Sequence, residues 1–252
     1  MSQCGVCNMF NFLAQAWLRL LAASFMLLAG VSHAEPLALM VYDRPPYMID
    51  GGDGGFSGLT ADASIAAMQG ARIDYRWHKF AAKRILQLVR ENVIYGCGIG
   101  WFKTDEREQF AKFSKAVYRD KPQLAVAPKK FLLPGDTTVV KLLSSKTTRI
   151  LVKEGFSYGA LDPLLKKYQP TLVFTAAEVV QMVQMIKANR ADITFLPEEE
   201  AHYLLEQAGF RADDFNLIKF PDMPRGETRH FMCSKNVPDS VIQKLNAAIQ
   251  FE

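Results

Sequence analysis

The residues best suited to bind or transform a small molecule fall in one stretch, Gly98-Ile99-Gly100-Trp101-Phe102-Lys103-Thr104-Asp105-Glu106-Arg107. Small residues end a strand there, and Thr104 is placed to cap a short helix reaching about Phe110. Arg107 then takes the third helical position. A cation in the first turn opposes the helix dipole at a cost of roughly a few tenths of a kcal/mol, which Asp105 and Glu106 offset. A guanidinium at that point can reach back over the helix start and grip a planar carboxylate through two parallel hydrogen bonds. The plainer reading is a surface arginine paired with an acid. Other chemistry finds less support. His78, His202 and His230 lack the spacing of a metal site, so no metal is expected, and no cofactor either. Gly155-Phe156-Ser157-Tyr158-Gly159 has the letters of G-x-S-x-G, and the chain has no P-loop. Ser157 has no obvious partnering base. Asp43, next to Arg44, could act as a general base, although a salt bridge is the commoner use of such a pair.

Positioning these residues falls to short apolar runs that alternate with amphipathic stretches. Leu37–Tyr42, Arg72–Trp77, Val93–Ile99 and Gln123–Ala127 read as strands. Helices fit after Thr60 or Asp62 through Met68, and over Ala81–Asn92, where Ile85, Leu86, Leu88 and Val89 form one face. The pattern restarts with strands at Arg149–Lys153, Thr171–Phe174, Asp192–Leu196, Leu217–Phe220 and Arg229–Cys233. The helices of this half fit near Leu161–Tyr168, after a capping box Thr175-Ala176-Ala177-Glu178, over Glu198–Ala208 and over Asp239–Ala248. Alternation of this kind implies parallel sheets with crossover helices, and two rounds of it imply two lobes. The seams are expected near Pro128 and within Pro221–Gly226.

The whole chain has 252 residues and a net charge of +4. Residues 1–34 hold a single charge, Arg19, then an apolar run from Leu20 to Ala29 and the small-residue site Val31-Ser32-His33-Ala34. That is the layout of a cleaved secretory signal, with cleavage near Ala34 and export to the periplasm expected. The run has about half of the roughly 20 residues a membrane span needs. The start codon is open, since Met9 also fits. The remaining charge of +3 is mild and evenly spread, which argues against a nucleic-acid partner. Cys4 and Cys7 fall inside the signal. Cys97 and Cys233 remain, and two cysteines in an oxidising compartment suggest a disulfide, or else two buried thiols.

Taken together, Thr104-Asp105-Glu106-Arg107 and the following Phe113-Ser114-Lys115-Ala116-Val117-Tyr118 resemble the family 3 extracellular solute-binding proteins, the periplasmic receptors of polar amino-acid ABC transporters. Pro45-Pro46-Tyr47, Gly55-Phe56-Ser57-Gly58-Leu59-Thr60-Ala61-Asp62, Arg190-Ala191-Asp192 and Val237-Pro238 fall in that family's order, so the resemblance covers nearly all of 35–252. It implies an α/β, two-lobed periplasmic-binding-protein fold of type II, with two hinge strands and a ligand cleft between the lobes. Residues 35–127 plus 227–252 would form the first lobe and 128–226 the second. Arg107 would hold a ligand carboxylate and Gly100 would offer its carbonyl to an ammonium group. The turn Gly155-Phe156-Ser157-Tyr158 would present N–H groups, or the Ser157 hydroxyl, to the same carboxylate. Tyr47 and an aromatic such as Phe80 would wall the cleft. Two positions depart from the family pattern. Phe102 stands where Thr or Ser is common, and Pro197 stands where an ammonium-binding Asp is common, with Glu198 next to it as a substitute.

The resemblance also implies that the strand returning to the first lobe lies beside the one carrying Cys97, which would pair it with Cys233. The function implied is that of a receptor, acting as a monomer, that captures an amino acid or related carboxylate for an inner-membrane ABC permease. A dehydratase-like periplasmic enzyme or a ligand sensor are the alternatives. The enzyme would need an acid and a base converging on the cleft, for which Asp43 and Glu198 are the candidates.

Overall fold

The computed structural model describes residues 35–207 and 209–251. The expected signal, residues 1–34, lies outside the described residues. Two five-stranded sheets organise the rest. The first contains β1 (Leu37–Val41), β4 (Tyr75–Lys79), β5 (Gly96–Phe102), β6 (Ala111–Arg119) and β12 (Thr228–Ser234), in the order β4-β1-β5-β12-β6. A short hairpin of β2 (Ile49–Asp50) and β3 (Phe56–Ser57) lies apart from it. Strand β1 runs parallel to β4 and β5, whereas β12 returns antiparallel between β5 and β6. Strand β1 is buried along its whole length, which explains its uninterrupted apolar sequence LALMV.

The second sheet orders β11 (Phe215–Ile218), β7 (Gln123–Pro128), β10 (Ile193–Pro197), β8 (Arg149–Lys153) and β9 (Thr171–Thr175). Both of its faces are covered. Leu124, Val126 and Leu151 pack on one side, while Ala125, Ala127, Ile150 and Val152 pack on the other, as the two-residue alternation of a strand requires. The first lobe has one continuous core instead, which includes Leu39, Met40, Ile85, Ile99 and Phe231.

Eight helices among the described residues connect the strands. The first lobe has α1 (Leu59–Gly70), α2 (Ala82–Arg90), α3 (Asp105–Glu108) and α8 (Asp239–Ala248), and the second has α4 (Val139–Ser144), α5 (Asp162–Tyr168), α6 (Val179–Lys187) and α7 (Glu198–Gln207). The amphipathic pattern of Ala81–Asn92 is realised in α2, which buries Ile85, Leu88 and Val89. The capping box sits three residues later than its sequence signature. Glu178 caps α6, and its N–H donates to Gln181 Oε1 at 2.7 Å. The Thr175 hydroxyl instead accepts from the Ala177 N–H at 3.1 Å, forming a local turn that competes with helix entry.

The chain crosses between the sheets twice. The second crossing, between Ile218 and Thr228, contains the expected Pro221–Gly226 seam. The first differs from expectation: Gln123–Pro128 pairs antiparallel with β10 and β11 and so belongs to the second sheet. The crossing therefore lies at Asp120–Pro122 and not near Pro128. A proline can end a strand without ending a lobe, because β7 stops at Pro128 on its own sheet. The two crossings touch. The Asp120 N–H donates to the Glu227 carbonyl at 3.0 Å, and Arg119 Nη1 donates to Gly226 O at 3.2 Å. A Cβ on Gly226 would stand 1.8 Å from the Asp120 carbonyl oxygen, so only glycine allows this approach.

Cys97 and Cys233 face each other across the β5–β12 ladder and form a disulfide. It closes a separation of 136 residues and ties the returning strand to the body of the first lobe.

Candidate functional site

Strand β5 ends at Phe102, and the next turn is set by Thr104. Its side chain accepts from the Arg107 N–H at 3.3 Å and starts α3, a single helical turn. The expected cap is thus present, although the helix stops at Glu108 and not at Phe110. Arg107 is buried, with 8% exposure. Its Nη1 donates to the Phe102 carbonyl at 2.9 Å, and its guanidinium lies over the Trp101 ring, 5.0 Å from the centroid. Among the described residues no carboxylate pairs with it. Burial, the largest influence, pulls its pKa below the ordinary arginine value. The plainer reading of Arg107, a surface residue in an ion pair, is therefore not what the structure shows.

Across the cleft from Arg107 is the turn that follows β8 and enters α5. Gly155, Phe156, Ser157, Asp162 and Lys166 border the same chamber, whose volume is about 960 Å³. The Ser157 hydroxyl donates to Asp162 Oδ2 at 2.6 Å, and the Tyr158 N–H donates to Asp162 Oδ1 at 2.9 Å. Asp162 therefore holds the turn in shape and occupies two of the groups expected to face a ligand. Tyr158 is further committed: its hydroxyl accepts from the Lys153 N–H at 2.9 Å and its carbonyl accepts from Gln123 Nε2 at 2.8 Å. The Gly155 and Ser157 N–H groups have no partner among the described residues.

Behind the chamber, between the lobes, lies a charge network that sequence reasoning missed. Arg229 on β12 donates through Nε and Nη2 to the two oxygens of Asp120, at 2.6 and 2.7 Å, and through Nη1 to the Gly100 carbonyl at 2.9 Å. The side chains of this pair are 1% and 2% exposed. The Arg229 guanidinium lies 3.7 Å from the centroid of the Tyr47 ring and 4.8 Å from that of Phe102. Burial, the largest single influence, opposes its charge, but the Asp120 carboxylate and Tyr47 together outweigh it and its pKa is raised. Nearby, Arg44 in the loop after β1 donates to both oxygens of Glu200 on α7, at 2.7 and 2.8 Å, and so joins the lobes directly. Phe156 of the second lobe packs under this pair, 4.9 Å from the Arg44 guanidinium and edge-on to Tyr42 at 6.3 Å.

Arg44 and Phe156 thereby divide the cleft. On one side is the Arg107 chamber. On the other is a space of about 440 Å³ bordered by Asp43, Lys79, Phe80, Val180 and Leu204. Between them the gap shrinks to about 20 Å³, lined by Arg44, Gly100, Phe102, Arg107, Phe156 and Arg229. Several expectations are corrected by this geometry. Tyr47 is fully buried beneath Arg229 and forms a layer behind the cleft wall. Phe80 lines the second space, away from Arg107. Glu198, the expected substitute acid, lines none of these spaces. It pairs with Lys219 at 2.8 Å, while Glu200, two residues on, is the helix-start acid that turns inward. Gly100 is at the cleft, in the left-handed region at φ 73°, but its carbonyl is already held by Arg229. Asp43 and Glu198, the acid–base candidates, do not converge.

No family model and no curated protein matches the chain. Solved structures do. The periplasmic VFT2 domain of BvgS from Bordetella pertussis superposes with a TM-score of 0.69 at 17% identity, covering 84% of this chain and 86% of that one. The arginine-, lysine-, histidine-binding protein ArtJ from Geobacillus stearothermophilus gives a TM-score of 0.68 at 17% identity, covering 86% and 88%. An arginine-bound ArgBP variant from T. maritima gives 0.65 at 17% identity, covering 84% and 94%. With two five-stranded sheets joined by paired crossings and a cleft between them, this chain has the two-lobed fold of the periplasmic binding proteins.

Proposed function

We propose that this chain is an exported solute-binding receptor that captures a small carboxylate between its lobes and delivers it to an inner-membrane ABC permease. The observation that carries the reading is Arg107: a guanidinium buried at a helix start, unpaired with any acid among the described residues, facing a chamber between two lobes. Such a cation is costly to bury unless an anion completes it. The Gly155 and Ser157 N–H groups across the chamber are suitable second donors. Two structural neighbours bear the names of amino-acid-binding proteins, which supports the receptor reading on this fold. In this reading Phe102 and Phe156 form the apolar walls, Ser157 and Tyr158 set the shape of the opposing turn, and residues 1–34 direct the chain to the periplasm, where it acts as a monomer.

The test is a thermal-shift screen of the mature chain, from residue 35, against small carboxylates, amino acids and polyamines. A ligand at 100 times its Kd adds about 2.7 kcal/mol of stability. It should stay chemically unchanged after overnight incubation. Arg107→Ala should abolish the shift for carboxylates. An unchanged shift in that variant removes Arg107 from the site.

A further inference from the structure

We infer that the site accepts carboxylates that carry no amine beside the carboxyl group, and that Arg229 is the residue that sets this preference. The inference rests on the receptor reading above and adds the chemical class to it. An ammonium has three N–H donors and in a dry site needs acceptors for them, at least one of which is charged. The acceptors at the inner end of the cleft are the Gly100 and Phe102 carbonyls and the Asp120 and Glu200 carboxylates. Every one is already held by a guanidinium of the chain. Arg229 covers Gly100 and both oxygens of Asp120. Arg44 covers both oxygens of Glu200. Arg107 itself covers Phe102.

Displacing Arg229 is not an easy route for an incoming amine. It lies between the faces of Tyr47 and Phe102, and moving it would leave Asp120 buried and uncompensated. The charge balance points the same way. Three guanidiniums border one narrow gap, and two of them are neutralised by Asp120 and Glu200. The charge left over belongs to Arg107 and is positive. A carboxylate answers it, whereas an ammonium next to that carboxylate would be pressed against Arg44 and Arg229, beside acids whose charge those guanidiniums already compensate. Further out, Asp105, Glu106, Asp162 and Glu227 also border the chamber, with Glu106 paired to Arg90 at 2.6 Å. Asp162 uses its oxygens to hold the Ser157 hydroxyl and the Tyr158 N–H, and Glu227 accepts from the Thr228 N–H.

The test is calorimetric titration of the mature chain with a panel of amine-free carboxylates and their α-amino counterparts. The matched pairs are glutarate with L-glutamate, isocaproate with L-leucine, and hydrocinnamate with L-phenylalanine. For the pair that fits the chamber, the amine-free member should bind at least about tenfold more tightly. Arg229→Met releases Gly100 and Asp120 as acceptors and should shrink or invert that ratio. A folded Arg229→Met variant with an unchanged ratio overturns the role given to Arg229. Should that variant not fold, the ratio in the native chain decides alone. An amino acid binding as tightly as its amine-free partner, held for instance by Asp162 or Glu227, overturns the inference and leaves the receptor reading standing. Failure of the whole panel to bind overturns both.

Discussion

Replacing Asp120 by Asn tests the charge network directly. The carboxylate and its partner Arg229 are 2% and 1% exposed and share two short hydrogen bonds. The substitution keeps the shape and removes the charge, so one guanidinium is left inside the protein with only dipoles around it. Breaking a buried pair from one side costs about 3–5 kcal/mol. In a chain of this size each kcal/mol moves Tm by about 2–4 °C, so Asp120→Asn should lower Tm by about 6–20 °C. The double variant Asp120→Leu with Arg229→Met removes both charges and fills similar volume. It should recover most of that loss, since apolar replacement of a buried pair is often neutral or stabilising. The assay is urea unfolding of the oxidised mature chain, with Asp120→Asn, Arg229→Met and a double Asn/Met variant completing a double-mutant cycle. A single-variant cost below about 1 kcal/mol would place the pair in the range of surface ion pairs and refute the reasoning. So would a Leu/Met variant as unstable as Asp120→Asn.

Two further predictions concern the same strand, β12. His230 is buried, and burial holds its pKa below the ordinary histidine value. Its Nδ1 and Nε2 contact Ser114 O and Thr228 Oγ1 at 2.9 Å each, which suits a neutral ring donating to the carbonyl and accepting from the hydroxyl. Because the folded state binds the proton less readily than the unfolded state, stability is fully present above the unfolded value of about 6.5. It should fall as pH drops from there through the folded value. Urea midpoints measured across that range should decline for the native chain and decline less for His230→Gln; equal slopes would remove His230 from the effect. For the disulfide, thiol titration of the denatured, unreduced mature chain should find no free thiol. Replacing both Cys97 and Cys233 by Ala should cost up to about 4–5 kcal/mol, the loop-entropy limit for so long a loop.

Much of the fold was legible in the chain itself. Alternating apolar runs and amphipathic stretches marked most strands and helices but not β2, β3, β6 or α4, because burial on one or both faces imposes a period on the residues that meet it. Thr104 announced the turn that places Arg107, since a side-chain cap acts within three residues. The boundaries that shifted were local contests, such as Thr175 closing a turn on Ala177 while Glu178 took the cap. The crossing moved from Pro128 to Asp120–Pro122 because strand pairing, and not a proline, decides which sheet a segment joins.

The interior of the cleft was a different matter. Arg44 and Glu200 are 156 positions apart, and Asp120 and Arg229 are 109 apart. Neither pair leaves a periodic or local trace, because an ion pair depends on distance in space and sequence pattern records only neighbours along the chain. The three glutamates at the start of α7 look alike as a helix-dipole motif. Only the packing of α7 against the first lobe turns Glu200 towards Arg44 and leaves Glu198 beside Lys219. Hydrophobic period and capping marked two rounds of strands and helices and the turn that carries Arg107, because these effects act between near neighbours along the chain. Tertiary structure alone decided which of its acids and carbonyls remain open to a ligand, because that depends on which distant guanidinium reaches each of them first.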